Sequence, residues 1–352
     1  MRRLRTRDAE RASGVLFPAE TPAQLRRARY VGGIDEAGLG PLLGPLTLGY
    51  CVMRSEPARH ELWSSLADVV SREPGDDATH VIVNDSKLVF TRTPRGERRL
   101  ERTALCFLAL ARVHRPDAGS ELIGGGPAEL AGRHALADEP WGARLVATLP
   151  AWCGADDLAS AQARLELALD AAQIELVDLG LRALAVRELN ESFERTGSTA
   201  RTHWDLTMPI LLRLWREYAP AGLDLLVDRH GGRMRYRALL AESFPDAAVT
   251  IESEAPALSA YLVVKGGEHG PWMRIRFAER AESQSLPVAL ASCVAKYARE
   301  ICMQAFNAHF CALDPELVPT AGYVSDGRRW LVEAARAIEH AGLSPEALVR
   351  QR

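Results

Sequence analysis

The stretch Gly33 to Pro45, GIDEAGLGPLLGP, constrains this chain more than any other. It is entered through Tyr30-Val31-Gly32-Gly33-Ile34, a short apolar run that predicts a buried strand, and two adjacent carboxylates, Asp35 and Glu36, follow at once. Gly38, Gly40 and Gly44 then alternate with Pro41 and Pro45, so the backbone must turn tightly before Leu46 to Met53 resumes as a second strand. Neighbouring residues on a strand point to opposite faces. Asp35 and Glu36 therefore serve one site only where the strand ends or bulges. The glycines leave backbone N–H groups free to approach a phosphate or a sugar closely. An ordinary acidic strand-to-turn pair is the alternative reading, and partners elsewhere in the chain must decide.

Composition narrows the class. At 352 residues, 47% apolar and 25% charged, the chain matches a globular protein with room for a large core. The basic start, MRRLRTRDAERASG, has no apolar segment behind it, so no secretory signal is expected. No run is long and apolar enough to span a bilayer, and the expected location is cytoplasmic with no membrane partner. Six cysteines include no CxxC pair, and nine histidines make no HExxH, which argues against zinc. The net charge of −3 gives no global nucleic-acid signal. Positive charge is local, in Arg92 to Arg102, Arg229 to Arg237 and Arg274 to Arg280, and each run also reads as plain solvated surface. Against 40 arginines stand three lysines, Lys87, Lys265 and Lys296, which raises the question of what lysine does at those places.

Read in order, residues 1–28 suggest a basic arm. Strands are predicted at about 29–35 and 46–54, a helix from Pro57 to Ser71, a strand over His80 to Val83, and a helix from Glu97 to Arg112. Residues 116–172 change character and read as an insertion, irregular up to a helix over Ala159 to Ala171. Strands follow at Ile174 to Val186 and Leu223 to Val227, then at Val249 to Ile251 and Leu258 to Val264. Helices are predicted at Thr202 to Tyr218, interrupted at Pro209, at 234–243, at Leu286 to Phe310 and at 328–341. The Ala, Ser and Cys residues of the 286–310 helix form a face suited to close approach to a sheet. This order predicts an α/β fold, a mixed central sheet flanked by helices, built on one core over 29–310 with a C-terminal helical extension, 311–352.

Two apolar strands end in carboxylates, one in Asp35-Glu36 and one in Asp228, where an α/β sheet places its site. Oxygen ligands without His or Cys select hard cations, Mg²⁺ or Mn²⁺. Glu300 shares a helix face with Ser292 and Lys296 at i,i+4 spacing, and a surface ion pair with Lys296 or Arg299 is the alternative for it. Three or four acids beside a glycine-rich turn suit two-metal phosphodiester hydrolysis.

These stretches resemble a known family. GIDEAGLGPLLGP is similar to the GIDEAGRGPLxGP signature of type 2 ribonucleases H, the ribonuclease HII/HIII family, and Asn84-Asp85-Ser86-Lys87-Leu88 resembles its DSKKL. The strand ending in Asp228 resembles its strand-borne aspartate, Leu290 to Glu300 is similar to its AASIxAKVTRD helix, and Thr320 to Gly327 resembles its KGYGT segment. Order and spacing agree over about 29–113 and 173–345. The resemblance implies a ribonuclease H-like fold and a catalytic, metal-binding quartet of Asp35, Glu36, Asp228 and Glu300. It implies that the backbone of Gly38, Leu39 and Gly40 reads a ribose 2′-OH, the group that marks RNA against DNA. It further implies substrate contacts from Ser86, Lys87, Ser292, Lys296 and Tyr323. The expected substrate is an RNA–DNA hybrid or DNA carrying embedded ribonucleotides. Three departures mark a divergent relative: Leu39 replaces the family's arginine, Glu300 its aspartate and Arg328 its histidine. A nuclease for another structured nucleic acid and a non-catalytic nucleic-acid binder are the rival readings.

Overall fold

A computed structural model describes residues 26–55, 61–111, 116–267 and 269–351; most of the expected basic arm lies outside them. Seven strands form one mixed sheet: β1 (Tyr30–Ala37), β2 (Leu46–Ser55), β5 (Ile174–Leu184), β6 (Leu223–Asp228), β7 (Ala248–Glu254), β8 (Leu258–Val264) and β9 (Trp272–Ala278). Their spatial order is β5-β2-β1-β6-β9-β8-β7. The central strands β1, β6 and β9 run parallel, and antiparallel strands extend the sheet on both sides. Val70–Ser71 and Val81–Ile82 make a separate two-stranded ladder, β3 and β4. The expected mixed α/β sheet flanked by helices is thus present.

Alternation within the strands feeds a core on each face. In β2, Cys51 and Met53 join one apolar cluster, while Leu48, Tyr50 and Val52 join the other. The first face is covered by the helix Leu286–Leu313, buried along nearly its whole first half. Small residues let it come close, as the sequence suggested. A Cβ on Gly33 would overlap the backbone of Pro287 and Val288, and one on Gly49 would overlap Ala291. The second face is covered by Thr199–Tyr218, capped by the Ser198 hydroxyl. Pro209 does not break this helix. It removes one N–H, but Trp204, Leu206, Ile210, Leu211 and Leu214 pack both halves into the same cluster.

Three other expectations need correction. Of the helix expected over Pro57 to Ser71, the described residues, from 61 on, form only Leu62–Ser65, because Val70 and Ser71 pair with β4 instead. The 328–341 helix is two helices, Val324–Glu333 and Ala335–His340. The run Arg274 to Arg280 is largely a strand: Met273, Ile275 and Phe277 are fully buried, while Arg274 and Arg276 face outward to Glu252 and Asp224. Within the insertion, Leu122, Trp141, Leu145, Leu158 and Leu165 pack into the first core. Buried Glu101 ties it there. Its carboxylate accepts from the backbone N–H groups of Ala151 (2.6 Å), Trp152 (2.6 Å) and Cys153 (2.5 Å), and from the Tyr297 hydroxyl (2.8 Å).

Candidate metal centre

The sheet opens where two parallel strands part. β1 pairs with β6 only as far as Ile34↔Val227, while its antiparallel pairing with β2 continues through Asp35↔Gly49 and Glu36↔Leu48. The crevice beyond Ile34 and Val227 is where Asp35, Glu36 and Asp228 meet. One carboxylate oxygen from each lies within 4.8 Å of the others. Two adjacent acids therefore reach one place because their strand loses a neighbour on one side, at the carboxyl ends of the parallel strands.

Among the described residues the Lys87 ammonium acts on this group, lowering Glu36 and Asp228, but burial outweighs it. Burial, then the charges of Glu36 and Asp228, hold the Asp35 carboxyl well above the usual range. Burial and Asp228 push Glu36 up to about 8, and burial also raises Asp228. Two backbone contacts soften the repulsion: Glu36 N–H donates to Asp35 Oδ1 (2.7 Å), and Ala281 N–H donates to Asp228 Oδ1 (3.2 Å). A cluster of oxygen donors with a shortage of positive charge fits a hard divalent cation.

The other candidates surround it unevenly. Asp85 caps the Ser86–Val89 turn by accepting from Lys87 N–H (3.0 Å). Partial burial would lower the Lys87 pKa, yet Asp85, Glu282, Asp35 and Asp228 together raise it, so this exposed ammonium feels the cluster. Ser292 lies between the Ser86 hydroxyl (3.0 Å) and Asp35. Gly38 has φ +96° and lies against the Arg299 side chain, so only glycine suits it, whereas a Cβ at Gly40 meets nothing. Leu39 is partly buried against the second core. Tyr323 is half exposed, at the end of the segment whose Gly322 carbonyl accepts from Leu42 N–H (2.7 Å) and Leu43 N–H (3.1 Å). Glu300 stands apart from the three clustered acids. Its Oε1 accepts from Lys296 Nζ at 2.5 Å, and Arg92 lies 3.8 Å from Oε2. The pair with Lys296 that its spacing had left open is thus present, but it is mostly buried, each side chain 11% exposed, and not the surface pair expected. Lys296 also sits 4.7 Å over the Phe90 ring.

Residues not singled out in the sequence also border the cluster. Buried Glu282 sits close enough for its pKa to be raised by burial and then by Asp228 and Asp85. His203 Nε2 is 3.6 Å from Glu36 Oε2. Neither stands in a motif. Glu282 follows the unrecognised β9, and His203 lies one turn inside a helix read only as amphipathic.

The raised carboxylates have a pH consequence. An acid whose folded pKa exceeds its unfolded value contributes stability at low pH, and that contribution is lost as pH rises through the folded pKa. For Glu36 the window runs from its ordinary value near 4.5 to about 8. Metal-free protein in chelator should therefore lose thermal stability between about pH 5 and pH 8, and saturating Mn²⁺ should flatten that slope. A metal-free melting temperature that rises over this interval would mean that the cluster is already neutralised.

Among known proteins, no family model matches the chain and no curated relative matches it. Its structure is similar to a ribonuclease H2 from Pyrococcus horikoshii OT3, with 18% identity and a TM-score of 0.42, covering 91% of this chain and 92% of that one. It is also similar to the RNase HII of Archaeoglobus fulgidus, solved in a complex with PCNA, at 15% identity and TM-score 0.41 over 92% and 94% of the two chains. A third similar structure is Bst-RNase HIII in complex with Mn²⁺, at 15% identity and TM-score 0.41 over 95% of this chain and 69% of that one. Among the described residues no helix is long and apolar enough to cross a membrane.

Proposed function

We propose that this chain is a divergent type 2 ribonuclease H, a metal-dependent endonuclease that cuts the RNA strand of RNA–DNA hybrids or DNA at embedded ribonucleotides. The observation that carries this reading is the meeting of Asp35, Glu36 and Asp228 within 4.8 Å at the parting of β1 and β6, next to the Gly38 turn. The motif resemblance supplies the substrate class. Asp35, Glu36 and Asp228 would hold Mg²⁺ or Mn²⁺, with Glu300 joining them once turned away from Lys296. Such ions supply a water acidic enough to attack at neutral pH and a counter-charge for the leaving oxygen. The chain's own groups do the rest. The Gly38–Gly40 backbone presents N–H groups to a ribose 2′-OH, Ser86 and Lys87 hold a backbone phosphate, and Tyr323 packs on the neighbouring sugar. In this reading residues 29–310, the insertion at about 116–172 included, form the catalytic domain, with the basic arm 1–28 before it and the C-terminal helical extension 311–352 after it.

A cleavage panel tests it. In Mg²⁺ and in Mn²⁺, an RNA–DNA hybrid, a duplex with one embedded ribonucleotide, plain duplex DNA and a branched DNA are compared. The expected result is cutting of the first two only, leaving 5′-phosphate and 3′-hydroxyl ends. Cutting of branched DNA alone would assign another nuclease activity to the same acids. Binding without cutting in either metal would leave a nucleic-acid binder.

A further inference from the structure

Outside the carboxylate cluster, positive charge gathers on the helix Pro94–Leu110, which the Thr93 hydroxyl caps by accepting from Gly96 N–H (3.2 Å). Leu100, Ala104 and Leu108 turn one side of this helix into the first core. Arg95, Arg98, Arg99 and Arg102, at three- and four-residue spacing, share the opposite side. There they line a cavity of about 420 Å³, bordered by Asp77 and by Asp157 of the insertion helix Ala155–Ala171. None of these residues belongs to the clustered acids of the candidate metal centre.

Two of the four guanidiniums are buried and fixed. Arg99, 8% exposed, donates to the carbonyls of Val89 (2.5 Å) and Pro74 (3.3 Å), and Arg102, 7% exposed, donates to the Asp77 carbonyl (2.7 Å). Carbonyl oxygens satisfy these N–H groups but leave the charge. Counter-charges are few. The Asp77 carboxylate accepts from Arg95 through Nε (2.8 Å) and Nη2, and lies 3.4 Å from Arg99 Nη1. The hydrogen bond from Arg95 is the main cause that holds Asp77 below the usual carboxylate range, so it stays ionised. Asp157 lies 3.7 Å from Arg102 Nη2. Arg98 is exposed, and its side chain makes no ion pair or hydrogen bond among the described residues. Four guanidiniums therefore face two carboxylates, a surplus of two positive charges. In a concave, partly desolvated place salt and water screen such a surplus least.

We propose that this cavity binds a phosphate dianion, as inorganic phosphate or as the terminal phosphate of a small phosphomonoester. Arginine forks match phosphate oxygens in pairs. Arg98 offers its whole fork. Arg95 spends two of its five N–H groups on Asp77 and keeps the others for the ligand. Arg99 and Arg102 add charge from beneath. A phosphomonoester carries about −1.5 to −2 charges at neutral pH, which matches the surplus. A phosphate inside a nucleic-acid strand carries a single charge and leaves half of the surplus unmatched. The basic run from Arg92 to Arg102 thus holds a built anion site from Arg95 onward, in addition to solvated surface.

Calorimetry on the full chain tests the site, with inorganic phosphate as the probe against sodium chloride at matched ionic strength. Chelator is present throughout, so that no divalent ion carries phosphate to the carboxylates. The parent should bind phosphate with a Kd of about 100 µM or tighter. Arg98→Glu removes the whole surplus and should weaken binding about tenfold or more, while Asp157→Asn adds to the surplus and should tighten it about threefold. Both side chains are exposed, Asp157 by 46%, and melting temperatures verify folding. Cleavage of an RNA–DNA hybrid by Arg98→Glu should stay within about twofold of the parent. Adenosine monophosphate distinguishes the two sources: tenfold tighter binding than phosphate assigns a phosphomonoester, and equal or weaker binding assigns the free ion. Phosphate binding no stronger than that of matched chloride overturns the site, and so does binding that Arg98→Glu leaves unchanged. Loss of hybrid binding in Arg98→Glu, with no phosphate binding in the parent, would assign these arginines to a strand backbone and overturn it as well.

Discussion

Asp35→Asn is expected to abolish cleavage in both Mg²⁺ and Mn²⁺ while making the metal-free protein more stable. Asp35 is 7% exposed, and its carboxylate faces those of Glu36 and Asp228. Asparagine keeps the shape, and its Oδ1 still accepts the Glu36 N–H that Asp35 receives at 2.7 Å. What disappears is one negative charge in a place where burial and two like charges already oppose it. Removing that charge deprives a divalent cation of its most buried ligand. A rate loss of about a thousandfold or more, roughly 4 kcal/mol of transition-state stabilisation, is the scale for such a loss. The same change relieves repulsion, so the melting temperature in chelator should rise, and the stabilisation by Mn²⁺ should shrink. Single-turnover cleavage and thermal melts with and without metal check both halves. Purified Asp35→Asn that cleaves within tenfold of the parent would end the metal-centre reading. A lower metal-free melting temperature would mean that Asp35 is held by an attraction the cluster does not show.

Those two halves locate what the sequence reveals and where it stops. The acids on β1 and β6 were visible because each closes an apolar run, and strand ends are fixed by local pattern. Their meeting was expected from those strand ends and from the family resemblance, but how it comes about was not visible: it depends on β1 leaving β6 after Ile34 while staying on β2, a property of pairing across nearly 200 residues. The close approach of the Leu286–Leu313 helix was also legible, because small side chains on one face have few other uses. β9 was missed because Arg274 and Arg276 drew attention to charge, although Met273, Ile275 and Phe277 alternate with them. With β9 unrecognised, the short turn after it, which carries Glu282, had no place in the site. His203 illustrates another limit. On a helical wheel it is one more core position beside Trp204, and only the fold shows that its buried Nε2 lies 3.6 Å from Glu36 Oε2. Glu300 shows the opposite case. The i,i+4 spacing to Lys296 is local, and the ion pair it allows is present.

Arg350→Ala should cost both stability and rate, because the glycine turn is held from the far end of the chain. The Arg350 guanidinium donates from Nε to the Gly44 carbonyl (2.8 Å), and its two terminal nitrogens donate to the Gly38 and Gly44 carbonyls. Its backbone N–H donates to the Leu42 carbonyl (3.0 Å), and Val349 bridges to Leu43. From the other side Arg299 donates to the carbonyls of Leu43 and Ala321, both at 3.3 Å. A turn that contains Gly38 at φ +96° and Gly44 at φ +80° keeps its shape only while these carbonyls are satisfied. Alanine at 350 leaves buried acceptors unpaired, a loss of about 2–4 kcal/mol. It also frees the backbone that would present N–H groups to a ribose, and a displacement of about 1 Å there costs on the order of a hundredfold in rate. Lysine restores the charge but not the planar fork, so Arg350→Lys should recover stability in part and rate less. The carboxylates sit on β1 and β6, outside the turn, so Mn²⁺ affinity measured by calorimetry should stay within about twofold of the parent. Cleavage is read well below the melting temperature of each variant. A stability loss with unchanged kcat would make Arg350 a structural clamp only. A fall in Mn²⁺ affinity in step with the rate would place its effect at the metal centre instead of the turn.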